Sequence, residues 1–193
     1  MVRFSHSIFA LPFALAGAAL AASRCGIEPR QVGWIVVAMV GARNAAMGFN
    51  RLVDHRWDAA NPRTIGRELP RGVIGRPAVW GLTVSLAAVF VLASFMLNPL
   101  CGLLSPVALA VVLGYSYTKR FTWASHLVLG LALAMAPVGG WLAVCGRFST
   151  AAWALGGAVV SWVAGFDVIY ACQDVEFDRG SGLFSMPARF GVR

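Results

Sequence analysis

Residues 77–97 read PAVWGLTVSLAAVFVLASFML, a stretch without one charged side chain. About 20 apolar residues are what a helix needs to cross a bilayer, and a helix satisfies its own backbone polar groups there. Asn98-Pro99 ends the stretch as a tight turn, and another apolar run, 99–117, follows at once. Working outward, further runs fall at roughly 7–22, 32–50, 121–145 and 151–172. The expectation is an all-α polytopic transmembrane bundle of about six spans.

Composition agrees. Of 193 residues, 59% are hydrophobic and 12% charged, with a mean hydropathy of +0.72. Soluble domains sit at about 45–50% apolar and about 25% charged. A soluble domain, a disordered chain and a disulfide-stapled secreted scaffold are therefore excluded. The first run, with its small residues Ala16-Gly17-Ala18, has signal-peptide features, but with five spans behind it we read it as a span. Cys25, Cys101, Cys145 and Cys172 lack metal-site spacing and read as small apolar residues. Gly157, Ser161 and Gly165 form a stripe of small residues that reads as a helix-packing face.

Loop charges predict the orientation. The side carrying the N-terminus, loop 51–76, Lys119-Arg120 and the C-terminal tail holds twelve basic residues; the other side holds Arg24, Arg30 and Arg147. By the positive-inside rule the N-terminus is cytoplasmic. The net charge of +8 is thus accounted for by topology, and nucleic acid is not an expected partner.

Seven of the eight acids fall in two windows, 54–68 and 167–178, both on that cytoplasmic side. Asn50, Asp54 and Asp58 are spaced to share one helical face. They stand at a helix C-terminus, where the dipole disfavours negative charge, and neighbouring carboxylates repel each other. Asp174 and Asp178 repeat the spacing. Hard oxygen donors of this kind suit Mg²⁺, which completes its shell with water and phosphate oxygens. The alternative is a solvated surface network of these acids with Arg51, Arg56, Arg63 and Arg179. Arg63, Arg67, Arg71 and Lys119-Arg120 supply groups that match phosphate oxygens. Acids, bases and apolar helices together point to a diphosphate attached to a lipid. Arg43 and Asp167 each lie about 10 Å deeper along the same helical faces. Such residues line functional cavities, or the two pair only to hold helices together.

Asn50-Arg51-Leu52-Val53-Asp54-His55-Arg56-Trp57-Asp58, with Asn61-Pro62-Arg63-Thr64, resembles the first signature of the UbiA superfamily of membrane prenyltransferases. Asp167 to Asp174 and on to Asp178 resembles its second, and Tyr115-Ser116-Tyr117-Thr118-Lys119-Arg120 its basic motif. Phe4-Ser5-His6-Ser7 with Phe9-Ala10-Leu11-Pro12-Phe13 resembles the opening of its 4-hydroxybenzoate branch. The resemblance implies a single transmembrane domain over 1–193, with six of the family's nine spans and the C-terminal third missing. It implies Mg²⁺-dependent transfer of a polyprenyl group from its diphosphate to an aromatic acid, in ubiquinone or menaquinone biosynthesis, at the bacterial-type inner membrane. No obligate protein partner is expected. Asp54, Asp58, Asp174 and Asp178 are the implied metal ligands. Asn50, Arg63, Arg67 and Lys119 would bind the diphosphate, Arg43 would clamp the acceptor's carboxylate, and Asp167 and Tyr170 would line the catalytic cavity. Two rival readings fit the residues less well. The Asp-Gly-x-x-Ala-Arg run of CDP-alcohol phosphatidyltransferases is absent, and an aromatic-acid transporter needs no paired acidic clusters.

Overall fold

Proline stands in the first turn of several helices, where its missing N–H costs nothing and its fixed φ favours the helix. The computed structural model describes residues 10–191. Its helices are α1 (Leu11–Cys25), α2 (Pro29–Val53), α3 (His55–Ala60), α4 (Arg76–Leu97), α5 (Pro99–Thr118), α6 (Ser125–Cys145), α7 (Thr150–Ala171), α8 (Val175–Ser181) and α9 (Met186–Phe190). A 3₁₀ turn, Cys172–Asp174, joins α7 to α8. Helices α2, α4, α5 and α6, and α7 with its continuation, are long and apolar enough to cross a membrane. The protein is an all-helical integral membrane protein. The described part of the first run, α1, is a shorter apolar helix. The start of that run, the Phe4–Ser7 motif and Val192-Arg193 lie outside the described residues.

The Asn98-Pro99 turn is built as the sequence predicts. The Asn98 side chain accepts the Cys101 N–H at 2.9 Å and donates to the Leu142 carbonyl at 2.8 Å, tying the α4–α5 turn to the end of α6. Helix α2 packs mainly on α4, and α6 packs on both α1 and α7. The α1–α6 contact is backbone against backbone. A Cβ on Gly17 would come within 2.0 Å of the Pro137 carbonyl oxygen, and one on Gly140 within 2.1 Å of that of Ala14. Close approach through small residues is how helices associate without a hydrophobic driving force.

Two expectations are corrected. Among the described residues the stripe Gly157, Ser161, Gly165 meets no neighbouring helix: Ser161 is exposed, and a Cβ on either glycine would meet none of their atoms within 4 Å. Helix α7 turns its opposite face inward, burying Ala152, Gly156, Val159 and Val163. Small residues allow close contact but do not choose the face. Nor are all four cysteines simple apolar residues. Cys25 and Cys145 form a disulfide with Cα atoms 5.6 Å apart, because the glycine contacts align the ends of α1 and α6. Cys101 and Cys172 are free thiols.

Candidate active site

At the opposite end of the bundle from that disulfide, the two acidic windows meet. Asp54 ends α2 and precedes α3, at φ −88°, ψ 4°. The break leaves the i→i+4 pattern intact, since the Asp54 N–H donates to Asn50 and the Asp58 N–H to Asp54, both at 2.8 Å. The spacing read from the sequence therefore survives. Asn50, Asp54 and Asp58 line one cavity of about 220 Å³ together with Asp167, Tyr170, Asp174 and Asp178 from α7 and its continuation. Arg63, Arg67 and Lys119 also line it. Arg43 is not among the lining residues; it lies near Tyr115, which is.

Each metal-candidate carboxylate but Asp178 is held by a cation. Asp54, 2% exposed, accepts from Lys119 Nζ at 2.6 Å and Asn50 Nδ2 at 3.0 Å. Arg120 Nη2 lies 3.5 Å from its other oxygen and donates to the Val53 carbonyl at 2.8 Å. That bond satisfies one of the carbonyls left open at the end of α2. The Arg120 guanidinium is also stacked 4.3 Å from the Trp57 ring centre. Arg67 Nη1 bridges both oxygens of Asp58 at 2.7 Å. Arg63 forks onto Asp174, its Nε donating to Oδ1 at 3.0 Å and its Nη2 to Oδ2. The same guanidinium donates to the Tyr170 hydroxyl at 2.9 Å. The bond to Asp174 holds Arg63 above its ordinary pKa. Asn61 braces this corner, donating to Asp174 at 3.2 Å and accepting the Arg63 backbone N–H at 2.8 Å.

These pairs differ from the surface network the sequence allowed, in which Arg51, Arg56 and Arg179 shared the work with Arg63. Arg51 pairs with Glu68, and Arg179 bonds the Ala188 carbonyl. The deep pairing differs too: Asp167 is bonded to His126, Nδ1 to Oδ2, at 2.7 Å. Sequence reasoning missed His126. Its one signal was a histidine in the first turn of a span, six residues after Arg120, and only the crossing of α6 and α7 shows its partner.

Among the described residues, no three His, Cys, Asp or Glu side chains converge tightly enough to hold a metal ion by themselves. The lining nevertheless fits Mg²⁺ by charge and chemistry. Its metal-candidate donors are all oxygen, the choice of hard cations. Five aspartates face three bases, Arg63, Arg67 and Lys119. With Arg120 behind Asp54 as a fourth base, an acidic excess remains that would repel a diphosphate arriving without a divalent cation.

An apolar helical bundle with a polar, acid-and-base-lined cavity at one end defines an integral membrane protein with a charged site at the end of its spans. The chain belongs to the UbiA prenyltransferase family, whose profile matches residues 10–193. It is 34% identical over 151 residues to a 4-hydroxybenzoate solanesyltransferase of Synechocystis sp., covering 76% of this chain and 52% of the relative. It is 37% identical over 128 residues to a protoheme IX farnesyltransferase of Shewanella sediminis, covering 63% and 40%. The chain thus spans about half the length of the curated relatives it matches. A UbiA homolog from Aeropyrum pernix K1 superposes with a TM-score of 0.92 at 37% identity, over 99% of this chain and 72% of that one. A UbiA homolog from Archaeoglobus fulgidus, bound to DMAPP and Mg²⁺, shares the fold at a TM-score of 0.79 and 19% identity, over 97% and 66%.

Proposed function

We propose that the protein transfers a polyprenyl group from its diphosphate to an aromatic acid such as 4-hydroxybenzoate, with Mg²⁺, in quinone biosynthesis. The observation that carries this reading is the charge count of the cavity, an acidic excess interleaved with phosphate-type bases beneath apolar helices. The 4-hydroxybenzoate enzymes among the relatives support the acceptor class.

Asp54, Asp58, Asp174 and Asp178 would hold Mg²⁺, which when bound neutralises the diphosphate and stabilises charge on it as it leaves. Arg63, Arg67 and Lys119 exchange their carboxylate partners for phosphate oxygens, with Asn50 hydrogen-bonding beside them. The bases thereby serve twice, satisfying buried acids before binding and the departing diphosphate afterwards. The allylic C–O bond breaks with its electrons on the diphosphate, the ring carbon ortho to the phenol forms the new C–C bond, and that carbon then gives its proton to the released diphosphate or a lining carboxylate, restoring the aromatic ring. Asp167 accepts the hydrogen bond of the phenol and Tyr170 walls the cavity beside Arg63. Arg43, near Tyr115, would balance the acceptor's carboxylate. Enclosure by helices keeps water from the allylic cation.

The acidic end is assigned to the cytoplasm on two grounds. Basic residues favour that side twelve to three, and the disulfide lies at the other end, where an oxidising compartment would let it persist.

The test is transfer of labelled prenyl from polyprenyl diphosphate to 4-hydroxybenzoate in membranes containing the protein. Product that vanishes with a chelator and returns with Mg²⁺ is the expected result. Prenylation of haem and not of any aryl acid would move the acceptor assignment, and transport of the acid without product would replace the reading with a carrier.

A further inference from the structure

His126 is 4% exposed, lines the cavity and has a partner on each ring nitrogen. Nδ1 is 2.7 Å from Asp167 Oδ2, and Nε2 accepts the backbone N–H of Met186 at 3.2 Å. An amide N–H can only donate, so Nε2 must carry its lone pair toward Met186. The ring proton is then on Nδ1, and that N–H donates to the carboxylate. A doubly protonated ring would set two N–H groups against each other at Met186, and the other neutral tautomer would present an N–H to that amide donor.

We propose that His126 is a positioning residue: locked as the Nδ1–H tautomer by the first amide of α9, it holds Asp167 oriented with one oxygen toward the acceptor's phenol. The inference rests on the transferase reading above and deepens it. Three elements share the task. Helix α7 supplies the carboxylate, α6 the imidazole and α9 the amide. Helix α9 is itself fixed by its cap, the Ser185 hydroxyl accepting the Ala188 N–H at 3.3 Å, and Ser185 lines the same cavity. The ring neither gives nor takes a proton during turnover. A carboxylate with one oxygen occupied by His126 presents the other in a fixed direction, which is what a fixed hydrogen-bonding partner contributes to catalysis.

Two substitutions separate positioning from packing. His126→Phe keeps the ring's volume and removes both bonds. His126→Gln offers an amide N–H to Asp167 and a carbonyl to Met186, so it can restore both. With His126→Phe folded and inserted as the parent, kcat should fall about 10- to 100-fold while KM for the prenyl diphosphate stays within about twofold, and His126→Gln should recover most of the rate. A histidine ¹⁵N spectrum of the parent, with the resonance assigned by its loss in His126→Gln, should show protonated Nδ1 and bare Nε2. An Nε2-protonated ring overturns the proposal. So does parent-level kcat in His126→Phe, or equal loss of rate and stability in both variants. If the parent transfers no prenyl group to any aryl acid, the functional reading fails. The spectrum still decides the tautomer.

Discussion

Lys119→Met removes the cation closest to the most buried acid of the cavity, and its cost can be bracketed. Exposed ion pairs contribute about 0–1 kcal/mol, whereas breaking a fully buried pair costs about 3–5 kcal/mol. Lys119 is 35% exposed and Asp54 2% exposed at the side chain, so the pair lies between these limits. Asn50 and Arg120 stay in place on the two oxygens. Loss of one charge-assisted bond with partial compensation gives about 2 kcal/mol. For a chain of this size that lowers Tm by roughly 4–8 °C, read by thermal unfolding in detergent. Asp54→Asn in the same chain removes the stranded charge and should restore most of the Tm without restoring prenyl transfer. Mg²⁺ alone should stabilise Lys119→Met more than the parent, because the cation takes over the vacated carboxylate. Unaltered Tm in the single variant, or a double variant no more stable than the single, would refute the partner-exchange reasoning.

Three further outcomes are expected. Ile65→Cys, exposed in the loop between α3 and α4, should resist an impermeant thiol reagent applied outside intact cells; labelling there inverts the topology. Arg43→Ala should raise KM for the aromatic acid well beyond KM for the prenyl diphosphate, since Asp167 already has His126 as its partner; equal changes in both constants would remove the carboxylate clamp. Replacing Cys25 and Cys145 by Ser opens a link across 120 positions. Chain entropy bounds its contribution at about 5 kcal/mol, so Tm should fall and the parent's faster mobility on a non-reducing gel should disappear; identical mobility with and without reductant would show that the link does not form.

What the sequence determined by itself was everything carried by covalent spacing. Twenty apolar positions between charges are enough for a span, so α2, α4, α5, α6 and α7 were legible to within a few residues. The four-residue interval of Asn50, Asp54 and Asp58 held across a helix break because the i→i+4 hydrogen bonds continue through it. The two acidic windows met at one cavity because topology leaves their spans ending on the same side.

Tertiary structure alone decided which groups touch. Ion pairs such as Arg63 with Asp174, 111 positions apart, depend on how helix ends are brought together, which residue spacing does not encode. His126 acquires its meaning only where α6 crosses α7 and α9 caps the gap. The disulfide depends on the backbone contacts of Gly17 and Gly140, and the face that α7 buries is set by α6 rather than by its own glycine stripe. Local periodicity says which faces a helix has. Only the neighbouring helices, competing for the same contacts, settle which face is used.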